Sequence, residues 1–131
     1  MEYVSHGQKD TERIAKQFAA TLVKGDVVTL KGDLGAGKTA FVKGVAEYFG
    51  LSGVTSPTYA YLNVYGDLLY HYDCYRLSSG EDAERLGLTD YFGGDCICLI
   101  EWAENIEDAL PENVKTVTIE KIGENERKIT L

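Results

Sequence analysis

Apolar residues recur along the chain at two spacings, one typical of helices and the other typical of buried strands. Over residues 11–23 they return every three or four positions, and polar side chains fall on the other side, which predicts an amphipathic helix. Asp10 or Thr11 is the predicted N-cap, and Gly25 follows the end of this helix. The β-branched run at 27–30 then predicts a short buried strand.

A glycine-rich segment follows this strand and leads into a second predicted helix, which Gly50 ends. The apolar face of that helix consists of Phe41, Val42, Val45, Ala46 and Phe49. Beyond it, the pattern predicts a hairpin from 59–65 and 68–75, a short helix at 79–86 capped by Ser79, a buried strand at 96–100, and closing strands at 114–122 and 127–131. A strand, a glycine loop and a helix in this order indicate an α/β domain. At 131 residues, we expect a single domain, 1–131.

Acidic residues outnumber basic ones, 21 to 13, for a formal net charge of −8. Such a surface repels the phosphate backbone of nucleic acids and anionic lipid, which disfavours tight, direct binding to either. The four arginines, Arg13, Arg76, Arg85 and Arg127, are too few for a basic stripe. If nucleic acid matters to this protein, we expect a partner to hold it.

The three cysteines, Cys74, Cys96 and Cys98, make an odd number, which argues against a secreted disulfide framework. At strand spacing Cys96 and Cys98 share one face of a sheet, and we interpret them as buried structural thiols. The first ten residues lack the apolar core of a signal peptide, and no stretch is long enough to span a bilayer. We therefore expect a cytoplasmic protein with no membrane partner.

The glycine-rich segment, Gly32-Asp33-Leu34-Gly35-Ala36-Gly37-Lys38-Thr39, fits the phosphate-binding pattern G-x-x-x-x-G-K-[ST] at every required position. Its glycines allow a backbone that brings amide N–H groups close to an anion, and the following helix points its positive dipole end at the same place. Lys38 supplies a charge for the outer phosphates, and the Thr39 hydroxyl is a ligand for Mg²⁺. The predicted nucleotide-binding residues are thus Gly32, Gly35, Ala36, Gly37, Lys38 and Thr39, for a nucleoside triphosphate with Mg²⁺.

A P-loop enzyme also needs a carboxylate that reaches the metal, usually where a buried strand ends. Glu101 directly follows the predicted strand at 96–100 and is the favoured Mg²⁺ ligand. Asp73 follows an apolar run at 68–72 and is the second candidate, either to position the attacking water or to share the metal shell. The sequence leaves open which carboxylate does which job. His71 is interpreted as a strand-face histidine, and Trp102 either stacks near the site or has a hydrophobic role.

Hydroxyl groups at Ser56 and Thr58 lie in a loop between the second helix and the hairpin. Such a loop either contacts a γ-phosphate and its Mg²⁺ or is a simple turn built by Ser-Pro. We include Ser56 and Thr58 among the predicted nucleotide-binding residues.

Four segments in order, G-D-L-G-A-G-K-T, S-P-T-Y, H-Y-D-C-Y-R-L and L-I-E-W, together resemble the TsaE (YjeE) family, bacterial ATPases needed to make threonylcarbamoyladenosine in tRNA. The resemblance covers residues 11–131 and implies a P-loop fold with a mixed sheet and ATP as the nucleotide. It also implies a TsaD-type transferase and its TsaB-type partner, with the tRNA reached only through them. In that picture ATP hydrolysis resets the complex between rounds of modification. By motif, Lys38, Asp73 and Glu101 would be the catalytic residues, and Thr39 and Glu101 would hold the metal.

The chain departs from the family pattern at two places. Ala40 stands where the family commonly has a second threonine, so a hydroxyl that helps hold the α-phosphate is missing and nucleotide affinity is expected to be lower. Ala103 replaces a proline after Trp102, which is expected to alter only the local turn.

Three other functions are compatible with a phosphate loop. A small-molecule P-loop kinase usually needs several arginines and a lid, and this chain has four scattered arginines and no insertion of lid length. A GTPase is disfavoured because Asn113-Val114-Lys115-Thr116 lacks the acid of N-K-x-D. A nucleotide-dependent switch that barely hydrolyses ATP stays open, because no arginine is obviously placed as a finger. We therefore expect weak basal turnover that partner proteins raise.

Overall fold

The computed structural model describes residues 1–33, 35–55 and 60–131. Within them, seven strands form one sheet in the order β1-β7-β6-β2-β5-β4-β3. The strands are β1 (Glu2–Ser5), β2 (Val27–Lys31), β3 (Leu62–Tyr65), β4 (Leu69–Asp73), β5 (Ile97–Glu101), β6 (Val114–Lys121) and β7 (Arg127–Thr130). The neighbours β6, β2, β5 and β4 run parallel, whereas β1, β7 and β3 join antiparallel. The predicted α/β fold with a mixed central sheet flanked by helices is confirmed.

Helices α1 (Gln8–Ala19) and α2 (Lys38–Tyr48) pack against each other and cover one face of the sheet. At their closest approach a Cβ built on Gly44 would lie only 2.5 Å from the carbonyl oxygen of Glu12, so this position has no room for a side chain. The core on this face includes Phe41, Val28 and Leu99, all fully buried. This packing fixes the start of α2 beside the end of β2.

The other face is covered by α3 (Gly80–Arg85) and by two short 3₁₀ helices, Leu88–Tyr91 and Ala103–Ala109. As predicted, Ser79 caps α3, its hydroxyl accepting from the backbone N–H of Asp82 at 3.3 Å. Neither 3₁₀ helix is predicted by the sequence pattern, because segments this short carry too few residues to show a period. In the described part of the chain, no helix has the length and apolar character needed to cross a membrane.

Near the beginning of the chain, helix α1 and strand β1 differ from the prediction, and α1 ends at Ala19 instead of 23. Helix α1 begins at Gln8 and its N-cap is Gly7, whereas Asp10, a predicted cap, lies inside the first turn and accepts the backbone N–H of His6. The sequence pattern does not predict β1, which pairs antiparallel with β7. Four residues show no clear alternation, so their strand state depends on the partner strand.

All three cysteines lie in the described residues and are free and buried, as predicted. Cys96 and Cys98 share one face, with their Sγ atoms 3.9 Å apart. The parallel strands β2, β4 and β5 end at a common edge, where Asp73 is the register partner of Glu101. That edge carries the candidate functional residues.

Candidate functional site

The glycine loop joins β2 to α2. At two of its positions the backbone has a conformation that only glycine adopts easily. Gly35 has φ 80° and Gly37, the N-cap of α2, has φ 105°, both in the left-handed region. At Gly32 the constraint is space, because a Cβ there would meet the carbonyl oxygen of Ile119 at 2.6 Å. The loop therefore places the N-terminus of α2 at the sheet edge. The N–H groups and the dipole of the first helical turn favour an anion there.

Lys38 is the first residue of α2 and is buried, although lysine is rarely buried without a partner. Its Nζ atom lies 3.9 Å from Oε1 of Glu101 and 4.3 Å from the centroid of the Trp102 ring. The carboxylate and the ring face balance the ammonium charge by ion pairing and by cation–π attraction. Trp102 thus lies at the site, which is one of the two roles predicted for it.

Glu101 ends β5 and is buried, with a different partner on each oxygen. Oε1 faces Lys38, and Oε2 lies 2.5 Å from Nε2 of His71. His71 is a fully buried residue of β4, so its interpretation as a strand-face histidine is confirmed. The sequence pattern gives no sign of the contact with Glu101, which joins residues 30 positions apart.

Asp73 ends β4 beside Glu101, and its Oδ1 accepts the backbone N–H of Tyr75 at 3.0 Å, which orients the carboxylate. The two candidate carboxylates are therefore neighbours at one edge, on adjacent parallel strands. Behind them, burial, helped by the negative charges of Asp73 and Glu101, raises the pKa of the Cys74 thiol to about 12. Cys74 thus stays a neutral thiol at neutral pH.

Arg127 also contacts the loop, and the sequence analysis did not assign it to the site. From β7, its Nε donates to the carbonyl of Ala36 at 2.9 Å and one terminal nitrogen donates to the carbonyl of Gly35 at 3.3 Å. The other terminal nitrogen donates to carbonyls in the turn between β6 and β7, including Gly123 at 3.3 Å. Arg127 thus ties the loop backbone to the β6–β7 turn, a contact across 91 residues that no local motif could reveal.

A cleft of about 240 Å³ opens beside the loop, between the start of α1 and the β6–β7 turn. It is lined by Gly7, Gln8, Thr11, Gly37, Ala40, Asn125 and Arg127. Ala40, the position of the missing hydroxyl, therefore faces open space next to the loop. The cleft adjoins Gly37, the N-cap of α2.

Oxygen donors suited to Mg²⁺ are present at the loop and the sheet edge. Thr39 is exposed in the first turn of α2, and Glu101 presents Oε1 towards Lys38. Among residues 1–33, 35–55 and 60–131, no three His, Cys, Asp or Glu side chains cluster as a metal site. Mg²⁺ that binds together with a nucleotide takes one or two protein oxygens and completes its octahedron with water and phosphate, so Thr39 and Glu101 are the residues that would hold it. The predicted residues Ser56 and Thr58 lie outside the described residues.

The sheet order, the loop between β2 and α2, and the buried lysine facing a strand-end carboxylate define a domain of the P-loop NTPase type. Comparison with known families matches residues 5–129 to the family described as "Threonylcarbamoyl adenosine biosynthesis protein TsaE". The chain belongs to the TsaE family, whose role is in tRNA threonylcarbamoyladenosine biosynthesis.

Individual relatives agree over most of the chain. It is 47% identical to "tRNA threonylcarbamoyladenosine biosynthesis protein TsaE" of Bacillus subtilis over 126 residues, covering 93% of this chain and 78% of the relative. It is 42% identical to the protein of that name from Treponema pallidum, covering 100% and 99% of the two chains. The crystal structure of Bacillus subtilis YdiB superposes with a TM-score of 0.81 at 42% identity, covering 98% of this chain and 82% of that one. The predicted family is confirmed.

Proposed function

We propose that this chain binds ATP with Mg²⁺, hydrolyses it slowly, and acts in the cytoplasm as a subunit of the threonylcarbamoyl transferase complex that modifies the tRNA adenosine next to the anticodon. Hydrolysis resets the complex between rounds. The proposed partners are a TsaD-type transferase and its TsaB-type partner protein, and the tRNA is reached only through them.

The observation that carries the proposal is the ion pair between Lys38, at the start of α2, and Glu101, at the end of β5. A buried ammonium faces a buried carboxylate beside a helix N-terminus. This arrangement is suited to bind the phosphates of a nucleotide together with their metal cation. On binding, the phosphates replace Glu101 as the partner of Lys38. Glu101 is then available to Mg²⁺, together with Thr39.

The hydrogen bonds of Arg127 support slow hydrolysis. All three guanidinium nitrogens donate to backbone carbonyls of the glycine loop and the β6–β7 turn, so the side chain holds the loop and is not free to neutralise a transferring phosphoryl group. P-loop hydrolysis is very slow where no arginine neutralises that group, so the engagement of Arg127 supports slow basal turnover. Asp73, held by the Tyr75 amide beside Glu101, is the proposed residue for orienting the attacking water.

The uneven distribution of charge along the chain supports the proposal that tRNA is reached only through the partner proteins. Residues 79–113, here called the acidic segment, contain ten Asp and Glu against one Arg, a net −9, while the rest of the chain sums to +1. The exposed carboxylates of this segment are Glu81, Glu84, Asp90, Asp95, Glu104, Glu107, Asp108 and Glu112. Such a surface repels the tRNA backbone and complements a basic protein surface.

The test is Mg²⁺-dependent ATP hydrolysis by the chain alone and with the two partner proteins. We expect slow turnover alone, stimulation on mixing, and loss of both in Lys38→Ala. The matched control is Lys43→Ala on the same helix, because Lys43 is exposed and pairs with Glu12 at 3.9 Å away from the loop.

Wild-type turnover in Lys38→Ala would disprove the assignment of the loop. Phosphoryl transfer to a small acceptor would favour the kinase. A nucleotide-dependent switch would bind ATP and associate with the partners without measurable turnover, and the engagement of Arg127 makes it the second candidate function.

A further inference from the structure

The two oxygens of Glu101 have separate partners on two different elements. Oε1 is 3.9 Å from Lys38 Nζ on α2, while Oε2 is 2.5 Å from His71 Nε2 on β4. All three side chains are more than nine-tenths buried. The carboxylate is thus held between a residue of the loop and a histidine with no role in the motif assignments.

The contacts of the His71 ring indicate which nitrogen carries its hydrogen. Nε2 faces the carboxylate oxygen of Glu101, which accepts hydrogen bonds, so Nε2 donates. Nδ1 is the one buried side-chain nitrogen or oxygen in the described residues without a hydrogen-bond partner. With the hydrogen on Nε2, only a lone pair is left unpaired at Nδ1, whereas the other tautomer would bury an N–H there and remove the donor from Glu101. Within the described residues, the hydrogen bond to Glu101 is therefore the one that the His71 ring makes.

We propose that His71 is a positioning residue that makes Glu101 a one-oxygen ligand. By occupying Oε2, the histidine fixes the carboxylate and leaves Oε1 turned to the loop, where it meets Mg²⁺ or a water bound to it. This inference rests on the proposed binding of Mg²⁺ with a nucleotide and specifies how Glu101 takes part.

A fixed carboxylate matters for this ion because Mg²⁺ demands a near-ideal octahedron. A carboxylate free to rotate could offer both oxygens or turn Oε1 away from the loop, and either change would distort the shell. Hydrogen-bond partners of metal ligands typically contribute 10–100-fold to metal affinity. The side chain of His71 touches neither the loop nor the cleft in any described contact, so its effect should pass through Glu101.

Two variants of equal length separate the hydrogen bond from packing. In His71→Gln, the amide nitrogen stands the same number of bonds from the backbone as Nε2 and can donate to Glu101. His71→Met has the same length and fills similar space without a donor. Thermal unfolding followed by circular dichroism verifies that each variant is folded. If His71→Met does not fold, His71→Asn, whose amide is one carbon too short, takes its place.

The measurement is the affinity for a fluorescent, non-hydrolysable ATP analogue in Mg²⁺ and in EDTA, together with Mn²⁺ binding to the nucleotide complex by electron paramagnetic resonance. In His71→Met we expect metal affinity in the complex to fall about 10–100-fold. Nucleotide affinity in EDTA should stay within about twofold, and His71→Gln should restore metal affinity to within about threefold of wild type.

Wild-type metal affinity in His71→Met would overturn the inference. So would equal losses of nucleotide affinity in Mg²⁺ and in EDTA, or a folded His71→Gln that does not restore metal affinity. Glu101→Gln distinguishes this failure from failure of the proposed function. If Glu101→Gln lowers metal affinity and His71→Met does not, only the role of His71 is wrong. If the wild-type chain binds no nucleotide in either condition, the proposed function fails and this inference with it.

Discussion

The Nζ atom of Lys38 lies 3.9 Å from Oε1 of Glu101, and both side chains are more than nine-tenths buried. Each charge therefore satisfies the other where water has little access, and removing one would leave a costly unpaired charge. An incoming phosphate and its Mg²⁺ can replace both partners at once. Under the proposed function, the pair would link phosphate binding to metal binding.

Glu101→Gln is expected to weaken the dependence on Mg²⁺ far more than nucleotide binding itself. The amide keeps the size of the side chain but removes the charge that attracts the cation, and it frees Lys38 for the phosphates. We expect at least a tenfold loss in Mg²⁺ affinity, measured by titrating Mg²⁺ into the complex with a fluorescent ATP analogue. The exposed Glu104→Gln is the control, and an unchanged Mg²⁺ titration in Glu101→Gln would move the metal role to Asp73.

Arg127→Lys is expected to loosen the glycine loop although the charge is kept. A lysine cannot donate to the carbonyls of Gly35 and Ala36 and to the β6–β7 turn together, because it lacks the planar fork. We expect a loss of roughly 1–2 kcal/mol in the free energy of unfolding and weaker nucleotide binding, measured by urea unfolding and by fluorescence titration. Lys128→Ala on the same strand removes only half-exposed ion pairs, including that with Glu2, and should behave like wild type.

Ala40→Thr is expected to tighten nucleotide binding. Ala40 lines the cleft beside the loop, so a hydroxyl there can donate to an α-phosphate oxygen. A hydrogen bond to a charged group contributes about 1.5–3 kcal/mol at best, so we expect a gain between threefold and tenfold after the ordering cost. Ala40→Val adds the same branch without the hydroxyl. Equal affinities in the two variants, by isothermal titration calorimetry, would contradict the prediction.

Charge reversal in the acidic segment is expected to weaken binding to the partner proteins. The double variant Glu81→Lys, Glu84→Lys changes two exposed residues of α3, and binding should fall about tenfold or more at low salt and less at high salt. Glu2→Lys, Glu124→Lys makes the same change in net charge elsewhere on the surface. Similar losses in both double variants, measured by biolayer interferometry, would show that only total charge matters.

High pH is expected to destabilise the fold through its buried thiols. Burial raises the pKa of Cys74 and of Cys98 to about 12, against 9.0 for an exposed thiol. Between these values the unfolded chain releases protons that the folded chain keeps, so the free energy of unfolding falls as pH rises, by up to about 1.4 kcal/mol per pH unit for each thiol. Below pH 9 this contribution is complete.

Urea unfolding between pH 8 and 11 measures this slope. Cys74→Ala should lose stability less steeply above pH 9 than wild type, since one titrating group is gone. Parallel slopes for the two proteins would contradict the assignment of the pH dependence to Cys74.

Much of the fold could be predicted because its elements carry local patterns. The apolar period of α2, the β-branched run of β2 and the apolar run of β5 depend on neighbours within a few residues. Element ends were less accurate, as at α1, because the cap is Gly7 with no side-chain hydrogen bond to mark it. Strand β1 was missed because its strand state depends on pairing with β7, at the other end of the chain.

The glycine loop can be identified from the sequence alone, because the eight residues from Gly32 to Thr39 are contiguous and their types follow from the backbone geometry that an anion requires. The sequence also placed Glu101 at a strand end. Two relationships become visible only in the folded chain. Strand β4 lies beside β5, which sets His71 against Glu101, and β7 brings Arg127 to the carbonyls of Gly35 and Ala36. Alternation along a strand specifies which side chains share a face, whereas the neighbours of each strand follow from how all the strands and helices pack together.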